Sequence, residues 1–319
     1  LNRKGQVSQE TARRVMKAVE ALSYAPNVSA RNLRLNESRI ILIVAPNTTN
    51  PYYTHILSGI GKAAHQMGYS AFLCDTGGDR AETKRVLDML VRRQADGAIL
   101  LATERASGWL QPYAEKFSLV QSSEFDPALP LPRVSIDNYA AAREAMAHLI
   151  WLGHERIGLV SSENQYISTQ LRFDGYRDAL RDASLPFREP YVRRGASDYS
   201  FKSGFDSAAQ MLALPERPTA LLCISDVLAL GAIASAREMG LRVPEDVTVV
   251  GFDDVEHTTM FHPHVTTVAQ PCAGIGERAM ELLEGAISRV GPPRETLLPH
   301  RLIVRESSAP PSGSPGQGR

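Results

Sequence analysis

Apolar residues in this chain fall first at a helical spacing and then in an alternation of short strands and helices. In residues 8–22 (SQETARRVMKAVEAL), Ala12, Val15, Met16, Val19 and Leu22 recur at the interval of one helix face, and Ser8 stands where it can cap. One helix this short has no core of its own. From residue 40 the pattern changes. Residues 40–46 (IILIVAP) predict a buried strand, 52–67 a helix closed by Gly68, 70–75 a strand, 80–93 a helix and 97–101 a strand. Strands over 117–122 and 134–137 follow. A second series begins with a helix over 140–152, closed by Gly153. It runs through strand 157–161, helix 171–183, strand 191–193, helix 201–212, strand 220–224, helix 227–239 and strand 247–252. Short β-branched runs alternating with helices imply parallel sheets covered on both faces. The series is too long for one ordinary sheet, so the expected class is α/β with two Rossmann-like lobes.

Between the two patterns lies a joint, residues 24–39. Pro26 stops the first helix, because it lacks an N–H and restricts the residue before it. Asn27 can cap a new short helix over about 28–35. Arg31 and Arg34 lie on that helix with Arg39 just beyond, and Ala30 and Leu33, three apart, share one face. Such a surface suits a DNA minor groove, with arginines on phosphate and an apolar wedge between base steps. It equally suits a linker helix whose leucine packs on its own domain.

Charge separates the two parts further. The 319 residues carry zero net charge, with 43% hydrophobic and 22% charged residues, as in a globular protein with a sizeable core. Residues 1–39 hold eight Lys/Arg against three Glu, so the head carries +5 and the rest −5. A basic head on an acidic body points to a nucleic-acid-facing end. Cys74, Cys223 and Cys272 are far apart, which speaks against a disulfide framework and for a reducing, cytoplasmic setting. No apolar run has the length of a membrane span, and no signal peptide is read. Residues 306–319 (ESSAPPSGSPGQGR) have the composition of a disordered tail.

Candidate binding residues follow from a rule of open α/β sheets: ligands sit beyond the carboxyl ends of the strands. The rule selects Asn50, Pro51, Tyr52 and Tyr53 after the first strand, Asp75 and Thr76 after the second, and Glu124 and Phe125 after the strand around Val120. Asp226 and Asp253 end strands of the second series, and Arg172 starts the helix after 157–161. Aromatic faces with a few fixed polar groups suit a flat or ring-shaped polar ligand, and an arginine fork opposite a carboxylate suits ring hydroxyls. Asp226 reads alternatively as only a helix cap, and Tyr52 alternatively as core. His257, His262 and His264 cluster, but at no standard metal-ligand spacing, and are read as loop residues. The GIGK at residues 59–62 is half a phosphate loop placed inside a helix, and is rejected. No G-x-S-x-G elbow or other catalytic set is recognisable, so no enzyme, metal or cofactor is expected.

At whole-chain scale the sequence resembles the lactose-repressor (LacI) family of bacterial transcription regulators. The resemblance rests on VSQETARRVMKAVEALSYAPNVSARNLR, NPYYTHILSGIGKAAHQMGY, DGAILLA, SIDN, LGHERIGLV, RFDGYRDAL, RPTALLCISDVLALGAI, LRVPEDVTVVGFDD and VTTVAQP, in that order. RLNESR, SSEFDPALPLPRVSIDN and ISDVLALGAI resemble one branch of the family in particular. The resemblance implies a helix-turn-helix head (1–25), a hinge helix and linker (26–39), and a two-lobed core of the periplasmic-binding-protein type. The first lobe would comprise 40–138 plus 270–299, the second 139–269 plus 300–306, with 307–319 as a disordered tail. It implies that Leu1 and Asn2 are the tail of a recognition helix whose upstream part is missing. Positions matching Gln6, Ser8, Thr11, Tyr24 and Asn27 would touch phosphates or the groove, with Ala30, Arg31, Leu33 and Arg34 at the minor groove and Leu33 as the wedge. Positions matching Tyr52, Tyr53, Phe125, Tyr166, Ser168, Arg172, Tyr199 and Asp253 would line the effector pocket. Tyr166 stands where purine-responsive members have an arginine, which argues against a purine base. The implied partners are a palindromic operator, a nucleoside or sugar effector and a second copy of the chain. A solute-binding protein for uptake is the competing class, since it shares the core fold.

Overall fold

The computed structural model describes residues 8–21 and 37–312. They fall into two compact units, residues 1–38 and 39–319. In the first, helix α1 (Gln9–Ala21) forms where the apolar stripe predicts it. Ser8 caps it: the Thr11 N–H donates to Ser8 Oγ at 3.3 Å, and the two hydroxyls lie 2.9 Å apart. Val15 and Met16 on its apolar stripe are 37% and 50% exposed. The expected hinge helix, with Gln6, Tyr24, Asn27, Ala30, Arg31, Leu33 and Arg34, lies outside the described residues.

The second unit contains two six-stranded sheets. The first is built from β1 (Ile40–Ala45), β2 (Ser70–Asp75), β3 (Gly97–Ala102), β4 (Ser118–Glu124), β5 (Arg133–Ile136) and β11 (Glu295–Leu298), in the order β11-β5-β4-β3-β1-β2, all parallel. The second holds β6 (Ile157–Ser162), β7 (Val192–Gly195), β8 (Ala220–Cys223), β9 (Thr248–Asp253), β10 (Thr266–Ala269) and β12 (Arg301–Ile303). Its order is β12-β10-β9-β8-β6-β7, with only β12 antiparallel. Strands β1, β3 and β8 are apolar runs because helices cover both faces: Ile41, Leu42 and Ala45 of β1 are fully buried. The covering helices are α2 (Pro51–Gln66), α3 (Arg80–Val91), α4 (Asn138–Trp151), α5 (Ile167–Asp182), α6 (Phe201–Leu212), α7 (Asp226–Glu238) and α8 (Cys272–Ile287). No helix among the described residues is long and apolar enough to cross a membrane.

The chain passes between the lobes three times: from β5 into α4, from β10 into α8, and from β11 into β12. Residues 266–303, for which the periodicity pattern gave no elements, thus return one strand to the first sheet and two to the second. The GIGK stretch belongs to this return. Gly59 lies within α2, and a Cβ there would stand 2.1 Å from the Ala273 carbonyl oxygen of α8. Gly276 meets the Ile56 carbonyl in the same way, so glycine serves the close approach of two helices.

The C-terminal segment departs from expectation. Of the tail expected to be disordered, residues 307–309 are packed against the second sheet and Ser312 donates to the Glu245 carbonyl, while residues 313–319 lie outside the described residues. Ser307 is fully buried, its hydroxyl receiving the Thr266 N–H at 2.8 Å while its own N–H donates to His264 O at 3.0 Å. The Ala309 N–H donates to Thr248 Oγ1 at 3.1 Å, and His154 Nε2 lies 2.9 Å from Ala309 O. A serine-rich composition signals solvent, but here the hydroxyls satisfy buried backbone groups along the second sheet.

Candidate functional site

Strand ends of both lobes face one another across a cavity of about 360 Å³. The first lobe lines it with Asn47 and Asn50 after β1, Tyr53 of α2, Asp75 at the end of β2, and Glu104 after β3; the second lobe adds Asn164, Tyr166, Asp198 and Tyr199. A smaller hollow of about 150 Å³ adjoins it, shares Asn164 and Tyr166, and is walled by Arg105, Phe173 and Arg194. The Tyr166 and Tyr199 rings are stacked, 6.4 Å apart at 29°. Three carboxylates and three asparagines share the polar lining. The Thr48 hydroxyl, at 2.6 Å, and the N–H groups of Gly77 and Thr48 hold the Asp75 carboxyl below the usual carboxylate range.

Behind these tyrosines lies a second layer whose members satisfy one another. Arg172, on the first turns of α5, is 6% exposed, and its guanidinium lies over the Phe252 ring at 3.6 Å. Its Nε donates to Asn138 Oδ1 at 2.9 Å, Nη1 donates to Ile224 O, and Nη1 is 3.9 Å from Asp253 Oδ1. Gln270 Nε2 donates to the same Asp253 oxygen at 2.7 Å. Gln270 Oε1 lies 3.2 Å from the Tyr52 hydroxyl, which is 3.0 Å from Ser123 Oγ. The chain Arg172–Asp253–Gln270–Tyr52–Ser123 therefore runs from the second lobe to the first. Asn138 and Gln270 are residues at the crossings themselves. Backbone conformation concentrates here as well: Ser123, Tyr199, Asp253 and Asp254 all have positive φ, 119° at Asp253, a sparsely populated arrangement for L residues that clusters at functional sites.

Glu124 links the lobes directly. Between β3 and β4 the register shifts, Leu100 facing Gln121 but Ala102 facing Glu124, so β4 carries one extra residue. A bulge re-aims the side chains that follow it. The Glu124 carboxylate, 7% exposed, accepts the Ser168 hydroxyl and, at 3.2 Å, the Ser168 N–H. Ser168 is in the first turn of α5, whose N-cap residue Tyr166 makes no side-chain cap bond. An acid of one lobe thus caps a helix of the other, where the helix dipole favours negative charge.

Burial sets the protonation of this layer. Desolvation pushes the Asp253 carboxyl up to about 7, against the pull of Arg172 and the Gln270 bond. Burial likewise raises Glu124, with the Ser168 hydroxyl and Arg172 opposing it. Asp226 is raised well above the carboxylate range by burial and by Asp253.

The residues expected at the site divide accordingly. Tyr53, Tyr166 and Tyr199 line the cavity. Tyr52, Glu124, Ser168, Arg172 and Asp253 form the buried layer behind it. Asp226 does not open onto the cleft. It is fully buried, accepting the Val255 N–H at 2.9 Å and the Thr267 hydroxyl at 2.6 Å, and Gly251 leaves room for its oxygen. Nor does it cap α7, since Ser225 does. Phe125 is also displaced from the cavity: it is buried under the Arg133 guanidinium, 4.4 Å from its ring centre, and Arg133 pairs with Glu295 of β11. Residue reading missed Asn47, Glu104, Asn164 and Asp198 at the mouth, and Asn138 and Gln270 behind it. The strand-end rule covers the mouth residues once β3, β6 and β7 are given their full lengths. Asn138 and Gln270 sat inside the quoted motifs SIDN and VAQP without being singled out.

Two α/β lobes joined by three crossings, with a polar cleft at their strand ends, define a ligand-binding core of the periplasmic-binding-protein type. A family model described as periplasmic binding protein-like domain matches residues 146–308. The HTH-type transcriptional repressor CytR of Escherichia coli K12 is 37% identical over 278 residues, 87% of this chain and 81% of that protein. The HTH-type transcriptional repressor PurR of Mannheimia succiniciproducens is 32% identical over 311 residues, covering 96% and 92%. Among solved structures, a transcriptional regulator CelR–cellobiose complex has a TM-score of 0.79 at 30% identity, covering 95% of this chain and 92% of that one. The chain belongs to the LacI family of transcriptional regulators.

Proposed function

We propose that this protein is a transcriptional repressor that binds a palindromic operator as a homodimer, with a nucleoside or sugar in the interlobe cleft controlling its affinity for DNA. The observation that carries the effector class is the cavity lining: three tyrosines offer flat faces, while Asp75, Glu104, Asp198 and three asparagines offer acceptors and donors for hydroxyl groups. The cellobiose complex of a relative supports a polyhydroxylated ligand. Among the described residues no arginine or lysine lines the main cavity, which disfavours an anionic ligand. In this reading Tyr53, Tyr166 and Tyr199 contact the ligand, and Arg172 and Asp253 are reached by exchange of their present bonds.

DNA contact is assigned to the basic head. Ser8, Thr11 and the positions of Gln6, Tyr24 and Asn27 take phosphates, and Ala30, Arg31, Leu33 and Arg34 take the minor groove, with Leu33 as the wedge. Two-fold operator symmetry calls for a dimer. The protein acts in the cytoplasm, on the nucleoid. A solute-binding role is the weaker reading, because the PurR relative matches 96% of this chain, a share that the core alone does not reach.

A thermal-shift screen of nucleosides and sugars tests the effector class, since a ligand bound only by the native state raises stability by mass action. Stabilisation by a nucleoside or sugar is the expected result; a flat screen with both classes removes the reading. Sedimentation at micromolar concentration tests the dimer. Duplex binding by fluorescence anisotropy, with and without the ligand found, tests control of DNA affinity. Non-specific duplex binding should fall steeply with salt through counterion release.

A further inference from the structure

Away from the cleft, the structure brings a carboxylate to the two histidines whose spacing alone gave no metal pattern. His262 and His264 lie on the loop between β9 and β10, and Glu306 follows β12, 42 residues further along the chain. One ligating atom from each of these three side chains lies within 4.8 Å of the others. His262 Nδ1 is 2.7 Å from Glu306 Oε2, and His264 Nδ1 is 3.7 Å from Oε1. The two imidazoles are stacked, 4.4 Å apart at 21°, and a nitrogen of each lies near the same carboxylate.

The scaffold under this cluster is fixed even though its side chains reach solvent. Glu306 sits between two anchored residues. Arg305 donates to Asp254 at 2.6 Å and to Val265 O at 2.9 Å, and Ser307 is fully buried against β9 and β10. His264 is held by the Ser307 N–H on its carbonyl, and its own N–H donates to Glu306 Oε2 at 3.1 Å. Arg237 donates to the His262 carbonyl. Three ligand-bearing backbones are thus tied to one another, which lowers the ordering cost of binding. Two imidazoles and one carboxylate are a nitrogen-rich set suited to first-row transition metals, and poor for calcium or magnesium, which take oxygen ligands.

We propose that His262, His264 and Glu306 form a binding site for a divalent transition metal such as zinc or nickel, with solvent completing the coordination. Zinc bonds of about 2.0–2.2 Å to nitrogen and oxygen require the 2.7 Å pair to open and the 3.7 Å pair to close slightly. Exposed side chains on fixed backbones permit both movements. A bound ion would staple the C-terminal segment to the loop that begins at Asp253 and Asp254, adjacent to the cleft.

The test is titration calorimetry of the tag-free full chain, cleared of metal by chelator dialysis, with zinc chloride and nickel chloride, and with calcium and magnesium chlorides as contrasts. One transition-metal site per chain, with no calcium or magnesium site, is the expected result. His264→Ala and Glu306→Gln should each weaken it at least about tenfold, the lower end of what loss of even a supporting outer contact costs. Circular dichroism should show both variants folded. Cobalt(II) absorption in the visible gives a second readout, present in the parent and reduced in each variant. Absence of a stoichiometric site, a site that takes calcium equally well, or full retention of binding in both variants would overturn the proposal.

Discussion

The mouth of the cleft and the layer behind it are built from the same residue types but in opposite states. At the mouth, Glu104 and Asp198 are exposed, and the tyrosine faces look into a cavity. Behind it, Glu124 and Asp253 are at most 7% exposed and already accept bonds from protein donors. A carboxylate in water costs little and is free to recognise a ligand; a buried one needs partners to exist as an anion. The inner layer therefore couples the lobes through bonds already made, while Glu104 and Asp198 at the mouth stay exposed.

The largest effect separating the two belongs to Arg172→Ala. Removing the guanidinium leaves Asp253 and Glu124 without their buried countercharge and uncovers the Phe252 ring. Losing one partner of a buried ionic network costs about 3–5 kcal/mol. Chemical denaturation should show that loss, together with loss of effector stabilisation. A variant as stable as the parent would mean that Arg172 belongs with the mouth residues.

Next comes the cap across the lobes. Glu124→Ala removes the acceptor at the start of α5, and loss of such a cap costs about 0.5–2 kcal/mol. Because cap and helix lie in different lobes, the ligand-free variant should also scatter with a larger radius of gyration. Glu124→Gln, which keeps one acceptor oxygen, should recover much of both. An Ala variant with parent stability and parent dimensions would show that the lobes are held elsewhere.

Asp253 gives a pH signature. Its pKa is raised on folding from 3.8 to about 7, so its contribution to stability is complete below the lower value and is lost as pH rises through the higher. Asp253→Asn should flatten the fall in melting temperature as pH rises across that window. Effector binding should weaken at the same time. An unchanged pH profile would mean that this carboxyl is not held against its charge.

The smallest change in stability is expected at the mouth. Glu104→Gln touches an exposed side chain and should stay within about 0.5 kcal/mol of the parent. Effector affinity should nonetheless fall by about tenfold, as for loss of a charged hydrogen bond. A stability loss comparable to that of Arg172→Ala would erase the distinction between the two layers.

The sequence by itself determined the α/β class and two lobes, because strands buried on both faces must be apolar runs and helices must carry a stripe. These are local requirements, visible within a window of a dozen residues. It also marked strand ends as the place of binding, and so reached Tyr53 and Asp75. Tertiary structure alone decided which of the marked residues line the cavity. One extra residue in β4 sends Glu124 to the other lobe and leaves Phe125 under Arg133. Asp226, read equally as ligand group or cap, turns away to Val255 and Thr267. Asn138 and Gln270 gain their roles from the crossings, and Glu306 joins His262 and His264 only because β12 runs beside β10. Local periodicity encodes an element and its buried face. Register, crossover and the meeting of residues far apart in the chain are set by how the sheets assemble, and these decide the chemistry at both places.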